Sequence, residues 1–161
     1  MNSRIEQLQQ KQLLGVHLPM TFANNRTGEL WRSFMQRRNE IHHRATADLI
    51  SMQVYNEQMD FNNMDPHVEF EKWATAEVTD ISNIPEGMEL FILPGGLYAV
   101  FDYKGTPQGA EPFFRYIFGT WLPASGYVLD KRPHFEILGA KYKNNDPDSE
   151  EEIWIPIKQK V

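Results

Sequence analysis

The sequence of 161 residues contains no cysteine. A chain without thiols has no disulfide framework, no thiolate nucleophile and no thiolate metal ligand. Its chemistry must come from carboxylates, histidines, hydroxyls or aromatic rings. The five histidines are either adjacent or scattered rather than spaced along one helix face. The sequence therefore predicts neither a metal site nor a cofactor.

Long hydrophobic runs and an excess of positive charge are also lacking. No run approaches the roughly 18 apolar residues of a membrane span, and the first residues lack the apolar core of a secretory leader. The formal net charge is −6 and the pI is about 5.3. Such a surface repels the phosphates of duplex DNA unless its basic residues are tightly clustered. We therefore expect a cytoplasmic protein that binds neither a membrane nor DNA directly.

What the sequence does have is the composition of one globular domain over residues 1–161. Hydrophobic residues make up 41% and aromatic residues 12%, enough for a core and for an aromatic pocket. A chain of this length buries roughly 68–70% of the surface that it exposes when unfolded. We expect a single domain.

The periodicity of apolar residues predicts an α+β fold built from two similar units, approximately residues 10–79 and 88–160. The first reads as a strand in QLLGVHL, a helix in ELWRSFMQRRNEI, and strands in DLISMQVY and VEFEKWATAEV. The second repeats that order with ELFILPGGLYAVFDYKG, AEPFFRYIFGTWL, HFEILGAKY and EIWIPIK. Duplicated β-α-β-β modules predict one antiparallel sheet, two main helices on one face and a pseudo-twofold cleft.

Glu136 is unusual because it lies between Phe135 and Ile137 in a short apolar strand. Alternation along each strand assigns the apolar residues to the helix side and places Glu136 on the opposite face, among aromatic rings. A carboxylate among rings suits a cationic or amphipathic organic ligand. The predicted ligand-binding residues are Glu136, Trp73, Trp154, Tyr55 and Tyr98.

Two plainer interpretations stay open from spacing alone. Glu136 could lie on an ordinary wetted strand face. Trp73 and Trp154 could cover a loop or a homodimer contact.

Several segments together resemble the GyrI-like, or AraC-type effector-binding, superfamily in its stand-alone form. They are FGTWLPASGYVLDKRPHFEIL, EEIWIPIK, NNRTGELWRSFMQRRNEI, LISMQVY and FEKWATAEV. The resemblance covers nearly the whole chain. It implies a duplicated fold with an aromatic-lined cleft, and an acid that pairs with cationic lipophilic ligands. By position that acid is Glu136.

Three functions follow from these observations. The leading one is a small-molecule binding protein for an amphipathic or cationic ligand. The resemblance also implies an alternative hydrolase of reactive cyclopropanoid compounds, in which Glu136 is the catalytic residue as general base or nucleophile. A third is a gyrase-inhibitor-like module that contacts a protein partner such as a topoisomerase.

Overall fold

The computed structural model describes residues 3–161. Its strands are β1 (Ser3–Leu8), β2 (Lys11–Met20), β3 (Leu49–Tyr55), β4 (Phe70–Glu77), β5 (Glu89–Leu93), β6 (Gly96–Lys104), β7 (Tyr127–Leu129), β8 (His134–Leu138) and β9 (Glu150–Gln159). Its helices are α1 (Thr27–Arg37), α2 (Pro107–Tyr116) and the single turn α3 (Leu122–Ala124). A 3-10 turn (Arg38–Glu40) follows α1, and a π-helical turn (Ile117–Trp121) joins α2 to α3.

The strands form one sheet in the order β1-β6-β9-β8-β3-β4-β2-β5, and β7 pairs with β9. Every pairing between these strands is antiparallel. The two units are β2-α1-β3-β4 and β6-α2-β8-β9, and β3 meets β8 at the centre. The predicted α+β fold, with one antiparallel sheet and two main helices on one face, is confirmed.

The two units exchange their first strands. β1 precedes the first unit but pairs with β6 of the second, whereas β5 precedes the second unit and pairs with β2 of the first. Residues 9–10 are the whole link from β1 to β2, and residues 94–95 are the whole link from β5 to β6. Because β1 and β5 lie at opposite edges of the sheet, these two edges must approach each other. A Cβ on Gly95 would lie 2.6 Å from the backbone oxygen of Leu8. The two links are therefore in contact, and the sheet curls around the face that carries no helix.

Because of this curl, both faces of the sheet are buried. On the helix-bearing face α1 covers Leu14 and Ala74, and α2 covers Phe101, Ile153 and Ile155. The other face, which we call the concave face, encloses a separate apolar core. Its buried members are Leu8, Leu13, Ile50, Met52, Trp73, Leu93, Tyr98, Val100, Phe135 and Trp154.

Three parts of the sheet differ from the sequence prediction. β7, which pairs with β9, was not predicted. The segment ELFILPGGLYAVFDYKG forms two strands rather than one bent strand, because the turn at residues 94–95 sends the chain from one edge of the sheet to the other. β1 was not predicted, since Ser3–Leu8 is largely polar and exposed, with only Leu8 reaching the concave core. Among the helices in the described residues, none has the length and apolar character needed to cross a bilayer.

Gly15 lies close against the backbone of the neighbouring strand β4. A Cβ there would lie 1.9 Å from the backbone oxygen of Ala74 and 2.8 Å from the Cα of Thr75. Because both obstacles are backbone atoms, Gly15→Ala is expected to lower the free energy of unfolding by about 1–3 kcal/mol or more, measured by urea denaturation. Gly28→Ala is the control, since nothing lies within 4 Å of its Cβ and α1 gains up to about 1 kcal/mol of helix propensity. Equal stability of the two variants would contradict this account.

Candidate functional site

Glu136 lies on the helix-bearing face of the sheet. It is directly opposite Ser51 of β3 and Ile153 of β9, and Ile153 packs beneath α2. The flanking residue Phe135 is opposite Met52 and Trp154, which belong to the concave core. Since side chains alternate between the faces of a strand, Glu136 and the tryptophans point in opposite directions.

The predicted grouping of Glu136 with Trp73, Trp154 and Tyr98 is therefore corrected. These rings are only 6%, 8% and 0% exposed and pack in the concave core. The error arose because the apolar residues of β3 and β8 face this second core and not the helices. Tyr55, by contrast, lies on the same face as Glu136. Ser51, Gln53 and Tyr55 all point to one face of β3, and Ser51 is directly opposite Glu136.

Between the two main helices, the central strands present five side chains that we call the inter-helix surface. They are Ser51, Gln53, Tyr55, His134 and Glu136. α1 packs over β2 and β4, and α2 packs over β6 and β9, which leaves β3 and β8 between them. This surface occupies the place of the predicted cleft.

The Glu136 carboxylate has two polar neighbours. Gln53 Nε2 donates a hydrogen bond to Glu136 Oε1 at 3.1 Å. Lys72 Nζ lies 3.9 Å from the same oxygen, and the two charged side chains are only 10% and 14% exposed. Burial raises the pKa of Glu136, while Lys72 and the Gln53 amide oppose the rise. The carboxylate is thus partly desolvated, with one cation at the limit of ion-pair distance.

A second carboxylate, Glu151, lies on the same face. Glu151 is two residues before Ile153 in β9, and Ile153 is opposite Glu136, so the two acids are diagonal neighbours. Burial, followed by the negative charge of Glu136, raises the pKa of Glu151 to about 7, against the effect of Lys72. Burial and these two carboxylates also raise the pKa of Tyr142. The site therefore holds two acids and one lysine.

Aromatic rings gather at one end of the inter-helix surface. The Phe61 ring stacks on His134 with ring centres 4.9 Å apart and an interplanar angle of 18°. Tyr55 meets Phe61 and His134 edge to face, each at 4.9 Å. Phe118, in the π-helical turn after α2, completes the group 4.8 Å from Phe61. Glu136 therefore has aromatic neighbours, although they are mostly not those predicted.

His134 is buried and Tyr55 is half-buried. Burial, and then the charge of Glu136, raises the pKa of the Tyr55 phenol. Burial alone lowers the pKa of His134 to about 3. His134 is therefore a neutral ring at physiological pH and adds no positive charge beside Glu136.

The predicted site omitted Ser51, Gln53 and His134 of the inter-helix surface, and four residues around that surface were also missed at the sequence level. Glu151 was missed because alternation groups it with Ile153, which was assigned to the helix side, away from the predicted face of Glu136. Lys72 was missed for the same reason, since it flanks Trp73 and alternation places it on the side opposite to the predicted aromatic face. Phe61 carried no signal, because it lies in the irregular segment 56–69. Phe118 belongs to the segment AEPFFRYIFGTWL, which was predicted as a helix and not as part of the site.

Two other features bear on the choice of site. A surface depression of about 320 Å³ lies away from Glu136 and is lined by Ile5, Tyr116, Thr120, Trp121, Ala124, Ser125 and Tyr127. It contains no carboxylate or other charged group. Among residues 3–161, no three histidine or acidic side chains are arranged to hold a metal ion.

The depressed pKa of His134 predicts acid sensitivity. Its stabilising contribution is complete above the usual pKa of 6.5 and is lost as the pH falls towards about 3. Between pH 7 and pH 4.5, the wild-type protein should therefore lose about 2–3 kcal/mol of unfolding free energy relative to His134→Phe, measured by urea denaturation at each pH. His42→Phe, at an exposed position, should follow the wild type. A constant difference between His134→Phe and wild type would show that this imidazole titrates normally.

Comparison with known proteins gives one curated relative across almost the whole chain. It is the transcriptional regulator BrlR of Pseudomonas aeruginosa, 30% identical over 159 residues. The match covers 98% of this chain but only 56% of BrlR, so the chain spans about half the length of that relative.

Solved structures share the fold at low sequence identity. SAV2435, solved bound to tetraphenylphosphonium, is 15% identical with a TM-score of 0.72, over 98% of this chain and 94% of that one. A hydrolase encoded by lin2189 of Listeria innocua is 11% identical with a TM-score of 0.62, over 97% and 91% of the two chains. The GyrI-like small molecule binding domain model matches residues 1–158, and the chain belongs to that family.

Proposed function

We propose that this protein captures an amphipathic, cationic organic molecule over the inter-helix surface, with Glu136 as its countercharge. The observation that carries the proposal is the placement of the Glu136 carboxylate, on a side chain only 14% exposed, on the same face as a cluster of aromatic rings. No cofactor is needed for this role.

The chemistry of the site favours an organic cation over a small inorganic one. Glu136 supplies negative charge where water is largely excluded, so its attraction for a cation is stronger than at the surface. Tyr55 and Phe61 offer aromatic area at one end of the same surface, and each ring face adds about 0.5–2 kcal/mol of cation–π attraction. Tetraphenylphosphonium, the ligand of the fold relative SAV2435, combines a permanent charge with phenyl rings and is therefore a suitable probe.

We assign Trp73, Trp154 and Tyr98 to stability rather than to ligand contact. The Phe135 and Trp154 rings stack with centres 5.2 Å apart. Tyr98 donates a hydrogen bond to the backbone oxygen of Pro133 at 2.8 Å, and the Arg132 guanidinium lies over its ring. These contacts join β6, β8 and β9 on the concave face.

A hydrolase is the second candidate, and the pair of half-buried acids favours it. Glu136 and Glu151 share a face, and burial raises the pKa of both. A carboxyl group with a pKa near neutrality can act as a general acid or base at physiological pH. The candidate is kept second because the described residues place no further nucleophile beside Glu136. A topoisomerase or a second copy of the chain as partner stays a prediction.

Glu136→Gln tests the binding proposal. At pH 8 the variant should bind tetraphenylphosphonium about tenfold or more weakly than wild type, a loss of about 1–2 kcal/mol, measured by isothermal titration calorimetry. Glu89→Gln is the matched control, since it removes the same charge from an acid that is 65% exposed and lies opposite Gly15 in β2. Unchanged affinity in Glu136→Gln would exclude the proposed countercharge.

Turnover separates the second candidate from the first. If the protein is a hydrolase, it should convert a cyclopropane-containing alkylating compound to a ring-opened product, and Glu136→Ala should abolish that conversion. Product formation is followed by mass spectrometry over many equivalents of substrate. Stoichiometric binding without product would reject the hydrolase and retain the binding protein.

A further inference from the structure

Lys72 gives this site a cation of its own. It lies on β4 opposite Gln53, with β3 between it and Glu136 on β8, and its side chain reaches across β3 towards the carboxylate. The side chain is only 10% exposed, and its Nζ is 3.9 Å from Glu136 Oε1. The positive charge of Lys72 cancels the negative charge of an ionised Glu136. The site therefore has a net negative charge for a monocation only when Glu151 is also ionised.

Glu151 is placed to supply the missing charge. It is a diagonal neighbour of Glu136 on the same face, directly opposite Tyr103 of β6. Glu136 keeps its charge more readily than Glu151, because Gln53 donates a hydrogen bond to Glu136 and Lys72 lies beside it. The proton of the pair therefore belongs on Glu151. Its pKa of about 7 makes release of that proton possible near neutral pH.

The remaining groups that face this cluster are uncharged over the relevant pH range. Burial holds the pKa of Tyr55 and Tyr142 above its ordinary value, and burial followed by the charge of Glu151 does the same for Tyr103. Burial keeps His134 neutral. The titratable and charged groups around the cluster are Tyr55 of β3, Lys72 of β4, Tyr103 of β6, His134 and Glu136 of β8, Tyr142 of the following turn and Glu151 of β9.

We propose that Lys72 is a built-in countercation for Glu136, and that a monocationic ligand binds in exchange for a proton released by Glu151 to the solvent. This inference rests on the proposed function and adds a determinant of ligand charge to it. Neutral ligands should bind without proton exchange. Lys72 and Glu151 then act as residues that set specificity, and the preference for a cation becomes dependent on pH.

Calorimetry tests the exchange directly. Titrations of the intact chain with tetraphenylphosphonium at pH 6, in buffers that differ in ionisation enthalpy, should show release of close to one proton per ligand. Affinity should rise about tenfold per pH unit below pH 7. Triphenylphosphine oxide, which is neutral, should release none. Binding of the phosphonium without proton release and without pH dependence would overturn the exchange while retaining the proposed function.

Two variants separate the roles of the residues. Glu151→Gln should bind the cation weakly, without proton release and with the same affinity at pH 6 and pH 8. Lys72→Met should bind it at least tenfold more tightly than wild type at pH 6, with little proton release, because its site already has a net negative charge. If Lys72→Met binds the cation no better than wild type does, Lys72 is not the countercation of Glu136.

A ligand-free measurement distinguishes failure of the exchange from failure of the function. In carboxyl-carbon NMR of glutamate-labelled protein, one side chain should titrate with a midpoint near 7, and this transition should disappear in Glu151→Gln. Its presence together with a lack of phosphonium binding would reject the proposed function and the ligand exchange but support the shared proton. Its absence would overturn the further inference.

Discussion

The curl of the sheet is the constraint on which the rest of the structure depends. Two short links hold opposite edges of an antiparallel sheet together, and a Cβ at Gly95 would clash with Leu8 across the contact. The sheet consequently has two apolar cores, one beneath the helices and one on its concave face. With hydrophobic burial supplied on both sides, the strip between α1 and α2 can carry polar groups without loss of the overall fold.

The chemical character of the inter-helix surface comes from the incomplete desolvation of the Glu136 carboxylate. Glu136 is neither exposed to bulk water nor firmly ion-paired, since Gln53 supplies one hydrogen bond and Lys72 remains 3.9 Å away. A fully paired buried acid would have little left to offer a ligand, and an exposed one would be screened by solvent. The intermediate arrangement keeps a usable charge in a place of low polarity. Phe61, which stacks on His134, extends the same surface with an aromatic ring.

Much of the fold could be predicted from the sequence because two-residue and helical periods are local signals. The helix-strand-strand order of both units and the antiparallel sheet were visible in the pattern, and Glu136 stood out as an acid between two apolar residues. The faces of β3 and β8 were not, since alternation shows which residues lie together without showing which side faces the helices. Met52 and Phe135 are apolar because they fill the concave core, and only the pairing of distant strands reveals that. Phe61 reaches the site from an irregular segment, where no period exists to read.

The exchanged edge strands have a consequence for how the domain folds. β1 completes the second unit and β5 completes the first, so neither unit can form its full set of strand pairings before much of the chain has been synthesised. The two halves are thereby tied into one cooperative transition, in which contacts between residues far apart in sequence must form together. Partial unfolding of one unit would therefore detach the edge strand that it receives from the chain segment before the other unit. Evolution of such a domain by loss or replacement of a single half is correspondingly difficult, even though the halves look alike.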